Sequence, residues 1–168
     1  EDALRIAELL PAGTPVYVNH LPRHELPHML AALVALREAG LEPVPHIAAR
    51  RVASRTQVRA FLEQAVRVAG VAKALLIAGD VAAPLGPYGD GVALLKDGVL
   101  ADAGLQQVGL PGYPEGHPQI STPALNAVLS QKLQLLEQQR LAGYVVTQFS
   151  FAPHRIVERV GRLVEVPR

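Results

Sequence analysis

The chain has 168 residues, of which 49% are apolar and 18% charged, so it can bury a core and is not expected to be disordered. Sixteen Lys and Arg residues against fifteen Asp and Glu give a net charge of +1, with no basic stripe that would attract nucleic acid. The absence of cysteine excludes disulfides, thiolate metal sites and cysteine nucleophiles, and fits a cytoplasmic location. The most apolar stretch, residues 71–83, is too short to span a bilayer, so no membrane partner is expected.

Amphipathic helices and short apolar runs alternate along the chain, beginning with a helix. Ser54-Arg55-Thr56-Gln57 resembles a capping box that opens a helix, and Gly40 and Gly70 are typical of residues that end one. Expected strands cover residues 16–18, 43–48, 74–78, 107–110 and 144–147, and expected helices cover residues 4–10, 25–39, 54–69, 90–97, 123–139 and 153–163.

The strand ends recur about every 30 residues, which is the size of a βα unit in a parallel sheet. Because the strands are short and apolar, we expect them to be buried on both faces. An open doubly wound sheet and a (β/α)8 barrel both fit this α/β pattern. The barrel interpretation makes residues 1–168 a single partial barrel domain that lacks the first strand and the last strands.

Polar residues follow every expected strand. In both architectures ligands bind outside the carboxyl ends of the strands, where the loops converge. A helix cap or a loop-closing hydrogen bond is the alternative for any single residue, but the recurrence at five strands favours a site. The residues concerned are Asn19 and His20, His46 and Arg50, Asp80, Tyr113, Glu115 and His117, and Gln148.

One motif suggests a different function. His24-Glu25-Leu26-Pro27-His28 matches the H-E-x-x-H pattern of zinc hydrolases. Pro27 places the motif in the first turn of a helix, where the ligands are less firmly held, so a solvated helix start is the favoured alternative and no metal is expected. The chain has no G-x-G-x-x-G motif, P-loop or serine nucleophile elbow. Phosphate binding would therefore depend on helix N-termini and single cations, for which Lys132 is a candidate. The alternative is that Lys132 is an ordinary surface lysine.

Four segments together resemble the methylenetetrahydrofolate reductase family in their order and spacing. They are Pro45-His46-Ile47, Ile77-Ala78-Gly79-Asp80, Gly112-Tyr113-Pro114-Glu115-Gly116-His117-Pro118 and Val146-Thr147-Gln148-Phe149. The resemblance implies a (β/α)8 barrel, of which about five βα units are present, that holds FAD without a covalent bond. It also implies that NADH or NADPH reduces the FAD, which then passes a hydride to 5,10-methylenetetrahydrofolate and yields 5-methyltetrahydrofolate for one-carbon metabolism.

The resemblance also implies roles for individual residues. Asp80 would be the catalytic residue beside the flavin and the folate, and Gln148 would bind the folate substrate. The physical chemistry agrees, because a carboxylate can tune a flavin, a glutamine offers a donor and an acceptor, and a lysine suits a diphosphate. The positions that match FAD contacts are Asn19, His46, Asp80, Tyr88, Tyr113, His117 and Lys132.

Three departures from the family pattern leave alternatives open. Ala78 stands where the family often has an arginine. The acidic FAD contact expected a few residues before Lys132 is absent, and Leu125 and Asn126 are the nearest residues. The family's proton-donating glutamate would precede Glu1. A folate- or flavin-binding barrel subunit without reductase activity is therefore the second hypothesis, and the zinc hydrolase is the third. Sheet edges would need covering by further strands or by another copy of the chain, so a homo-oligomer stays open.

Overall fold

A computed structural model of the protein describes residues 2–20 and 26–164, and it confirms the alternation of helices and strands. The strands are β1 (Pro15–Val18), β2 (Glu42–Ala48), β3 (Lys73–Ile77), β4 (Gln107–Gly112) and β5 (Ala142–Thr147). The helices are α1 (Asp2–Ala7), α2 (Leu26–Glu38), α3 (Arg55–Ala69), α4 (Gly91–Asp97), α5 (Val99–Asp102), α6 (Thr122–Gln138) and α7 (Pro153–Val164).

The predicted helix boundaries are supported by local hydrogen bonds. The Ser54 hydroxyl accepts a hydrogen bond from the backbone N–H of Gln57 at 3.1 Å, and Gly70 ends α3 in the left-handed region with φ of 58°. Two short elements were not predicted: α5, and a 3-10 turn at Ala49–Arg51. The 3-10 turn follows β2 directly, and only Gly98 separates α5 from α4, so neither element is set apart by a longer run of turn residues.

All five strands are parallel and pair in the order β1-β2-β3-β4-β5, each with the next strand in the chain. The predicted α/β fold with a parallel sheet is therefore confirmed. A doubly wound sheet reverses its strand order at a switch point, and these five strands show no reversal.

The helices pack on one face of the sheet and form the apolar core there. Leu33, Leu62, Leu76, Leu94 and Leu110 are fully buried in this core. Burial on both faces is confirmed for most of β2, β3 and β4, but it is wrong for β1 and β5, because these strands form the edges of the sheet and stay partly exposed. Within the described ranges, no helix combines the length and the apolar character needed to cross a bilayer.

The other face of the sheet is concave. The hydroxyl groups of Tyr17 in β1 and Tyr144 in β5 lie 3.4 Å apart, although these are the two outermost strands. In a flat sheet, four strand spacings of roughly 4.8 Å would separate them by about 19 Å. The sheet is therefore strongly curled, and alternate strand residues point into its concave face. Near the amino ends of the strands this face also holds the ion pair between Lys73 and Glu42, with an N–O distance of 2.9 Å.

Candidate functional site

A cleft of about 880 Å³ lies at the carboxyl ends of the strands, within the range of roughly 300–1,000 Å³ typical of small-molecule sites. The curl of the sheet brings the loops after all five strands to this cleft. Of the polar residues predicted at the strand ends, all except Glu115 line it, namely Asn19, His20, His46, Arg50, Asp80, Tyr113, His117 and Gln148.

Lys132 lies in an adjoining pocket of about 240 Å³. This pocket shares Ala78, Pro111, Tyr113 and Ile120 with the cleft, so the two spaces lie side by side. The Lys132 side chain is only 8% exposed, which rules out the surface-lysine alternative. Burial lowers its pKa, and the nearby carboxylate of Asp90 partly opposes that shift.

The predicted FAD contact Tyr88 is not brought to the cleft. Its side chain is 3% exposed and packs in the apolar core, and it lines neither the cleft nor the Lys132 pocket. Burial raises the pKa of Tyr88, with a further contribution from Asp97, which is itself paired with Arg55.

Asp80 enters the cleft directly after Gly79, whose φ of 93° turns the chain away from β3. One carboxylate oxygen lies 3.1 Å from the Nη2 atom of Arg51, and the Asp80 side chain is 81% exposed against 10% for Arg51. The hydrogen bond from Arg51 holds the pKa of Asp80 below its usual value. Asp80 is therefore an ionised hydrogen-bond acceptor at neutral pH rather than a proton donor.

The histidines of the cleft offer ring nitrogens to a ligand. Burial lowers the pKa of His46, which favours its neutral form, and its Nε2 atom has no hydrogen-bond partner among the described residues. The His117 Nδ1 atom accepts a hydrogen bond from the backbone N–H of Gln119 at 3.2 Å. A neutral His117 consequently carries its proton on Nε2 and can donate it to an acceptor. The ring of Tyr113 meets the His117 ring edge-on at 5.3 Å and fixes its orientation.

The loops after β4 and β5 are tied to each other. The backbone N–H of Gln148 donates to the Gly112 carbonyl at 3.0 Å, and the Ser150 hydroxyl donates to the carboxylate of Glu115. Glu115 therefore holds these loops together. Beside Gln148, the exposed rings of Phe149 and Phe151 contact each other edge-on at 4.9 Å.

The sequence reasoning missed three residues of the concave face, Arg51, Tyr17 and Tyr144. Arg51 was missed because its contact with Asp80 joins the loops of two different strands, which sequence spacing does not show. The two tyrosines lie inside the expected strands 16–18 and 144–147, where the apolar pattern alone does not distinguish them. Strand periodicity could have found them, since Tyr17 lies two residues before Asn19, and Tyr144 four residues before Gln148, on the same face of their strands.

The zinc motif falls largely outside the described residues, which exclude His24 and Glu25, while His28 lies in the first turn of α2. In the parts of the chain that the structure covers, no three His, Asp or Glu side chains are grouped so that they could hold a metal ion. The zinc hypothesis gains no geometric support from these residues.

Comparison with known families assigns the site no function, because a scan of the chain against protein-family models found no match. The interpretation of the cleft therefore depends on its own geometry. That geometry consists of a concave parallel sheet, polar groups from five strand ends, and a buried lysine at one margin.

Proposed function

We propose that the protein is a flavin-dependent oxidoreductase built on a (β/α)8 barrel and similar to methylenetetrahydrofolate reductase. In this proposal it reduces 5,10-methylenetetrahydrofolate to 5-methyltetrahydrofolate with FAD and NAD(P)H. The observation that carries the proposal is the convergence of residues that the family resemblance links to FAD and folate. They come from five different strand ends and line one cleft, with Lys132 at its margin.

Three features of the sheet support a barrel. The strands follow one another in chain order, the helices pack on one face, and the opposite face is curled enough for Tyr17 and Tyr144 to meet. The outer edges of β1 and β5 have no strand partner within residues 2–20 and 26–164. Further strands between these edges would close the barrel and satisfy their backbone groups.

The residues present fit FAD. Gly91 lacks the side chain that would crowd the Lys132 amine, since a Cβ atom there would lie 3.1 Å from Nζ. The pocket of about 240 Å³ that Lys132 lines offers the space beside this buried cation for the diphosphate. The unpartnered Nε2 of His46 and the Nε2–H of His117 can bond the polar atoms of the cofactor. When bound, FAD supplies the reversible two-electron chemistry, while the protein orients and tunes it.

Asp80 and Gln148 are the proposed substrate contacts. The ionised carboxylate of Asp80 would accept hydrogen bonds from the amide edge of the pterin ring, and Gln148 would offer a donor and an acceptor to the same edge. Because Asp80 stays ionised, we assign it charge stabilisation and orientation, and we assign protonation of the substrate to neither residue.

Visible absorption of the purified full-length protein tests the proposal. After incubation with FAD and removal of the free cofactor, we expect a flavin band that corresponds to one FAD per chain. NADH or NADPH should then bleach the band, and 5,10-methylenetetrahydrofolate should restore it. A protein that stays colourless would refute the proposal, whereas retained flavin without turnover, also with menadione as acceptor, would identify a binding protein instead of a reductase.

A further inference from the structure

One corner of the cleft has no role in the proposed reaction. It is formed by Arg50 and Arg51 of the 3-10 turn after β2 and by His20 after β1, and we call it the arginine corner. It lies on the β1–β2 side of the cleft, whereas Lys132 lies in the adjoining pocket beside β3 and β4. We propose that the arginine corner is an anion-binding subsite that takes a carboxylate or phosphate group of a ligand seated in the cleft.

The balance of charge in the cleft favours an anionic ligand. Arg50 and Arg51 both line the cleft, and Asp80 is the acidic residue that faces them. Guanidinium groups remain protonated in proteins, so the two arginines outweigh the single carboxylate. Clefts with an excess of one charge and low-dielectric walls attract ligands of the opposite charge.

Among the described residues, Arg51 has one side-chain partner, Asp80, which leaves most of its N–H donors available. Its side chain is 10% exposed, and the contact with Asp80 joins one nitrogen, Nη2, to one oxygen at 3.1 Å. A guanidinium group has a fork of N–H donors that suits two-point binding of a carboxylate or a phosphate. Because the Asp80 side chain is 81% exposed, water can replace its bond to Arg51, and a ligand anion can displace it at little cost.

Arg50 and His20 add unsatisfied polar atoms to the same corner. The Nη2 atom of Arg50 donates to the Ala82 carbonyl at 2.8 Å, which fixes the side chain, while its Nε atom is buried without a hydrogen-bond partner among the described residues. The Nδ1 atom of His20 is also buried without a hydrogen-bond partner among the described residues. A buried unpaired donor such as the Arg50 Nε–H is costly, and a nearby negative charge would offset part of that cost. His20 can donate to the same anion when its proton is on Nδ1.

Titration calorimetry of the flavin-free protein with inorganic phosphate and with glutarate tests the subsite. We expect at least one of them to bind, and Arg51→Met to weaken that binding at least tenfold. Arg51→Lys, which keeps the charge but loses the fork, should give an intermediate affinity. Arg59→Met is the matched control, because Arg59 pairs with Glu63 on the surface of α3 and does not line the cleft, and it should leave the affinity unchanged. Preference for glutarate would indicate a carboxylate ligand, and preference for phosphate a phosphorylated one.

Asp80→Asn separates a ligand subsite from a structural ion pair. If the carboxylate of Asp80 competes with the ligand for Arg51, removing its charge should tighten anion binding severalfold. Weaker binding in Asp80→Asn, an Arg51→Met variant that binds like the parent, or a parent that binds neither anion would overturn the proposal. These measurements need no flavin. If the protein binds glutarate through Arg51 but takes up no FAD, the anion subsite is supported and the proposed function is refuted.

Discussion

The two faces of the sheet differ sharply, although they are built from the same strands. On the helix-facing side, Leu76 and Leu110 are fully buried in a continuous apolar core. On the concave side, neighbouring positions carry His46, the Lys73–Glu42 ion pair and two tyrosines that are only partly buried. Alternate residues of a strand therefore serve different purposes: one face supplies the stability, and the other supplies groups that a ligand can use.

The largest expected effect sharpens this contrast within one strand. Leu76 and Ile77 are adjacent in β3, but Leu76 lies in the core and Ile77 lines the cleft. We expect Leu76→Ala to lower the free energy of unfolding by about 2–5 kcal/mol, since it leaves a cavity among packed side chains. Ile77→Ala should cost clearly less, because its side chain is already partly exposed. Urea denaturation of both variants measures the difference, and equal losses would show that the concave face is as closely packed as the core.

Lys132 belongs to α6, and its amine lies beside Gly91 at the start of α4, in the pocket next to the cleft. If its amine binds a diphosphate, Lys132→Met should weaken FAD binding about 10–100-fold, the effect of losing a charged hydrogen bond worth about 1.5–3 kcal/mol. Riboflavin, which has no phosphate, should bind with little change. Fluorescence titration with both flavins measures this difference.

The same Lys132 substitution should not destabilise the protein, because removing a buried and desolvated charge is often neutral or stabilising. Lys96→Met is the control, since Lys96 is exposed in the last turn of α4. Equal weakening of FAD and riboflavin by Lys132→Met would contradict a role in diphosphate binding.

The sequence predicted the helix-facing side better than the concave side, for physical reasons. Apolar periodicity and caps such as Ser54 and Gly70 are local signals, so the elements and the parallel sheet could be predicted. The pairing of Arg51 with Asp80 joins two loops 29 residues apart and depends on an unpredicted turn. The place of Tyr88 likewise depends on how the loop after β3 folds onto the core, and sequence spacing does not report that.

A smaller effect is expected at Gly109, which faces Tyr144 across the β4–β5 pair. A Cβ atom at Gly109 would lie 2.7 Å from the Cζ atom of Tyr144, so Gly109→Ala must displace this ring and disturb its contact with Tyr17. We expect a loss of about 1 kcal/mol in the free energy of unfolding, because the obstacle is the tip of a side chain that can move. Thermal or urea denaturation measures the loss.

Two controls accompany the Gly109 substitution. Gly89→Ala should be nearly neutral, because a Cβ atom there meets nothing within 4 Å. Gly109→Ala should cost less free energy of unfolding in a Tyr144→Ala background than in the parent protein, because the ring that obstructs the new methyl group is then absent. If both glycine variants behave alike, the concave face does not hold the Tyr144 ring in place.

The smallest expected effect concerns the ionisation of His20 and His46 in the cleft. Burial lowers the pKa of both from 6.5, and for His20 the positive charge of Arg51 lowers it further. Since the fold favours the neutral imidazoles, they add stability above pH 6.5 that is lost as the pH falls below that value. In an NMR titration, Arg51→Met should therefore raise the pKa of His20 and leave that of His46 unchanged. Equal shifts of both histidines would mean that Arg51→Met opens the cleft to water, whereas a shift confined to His20 would place the charge of Arg51 at the β1 end of the concave face.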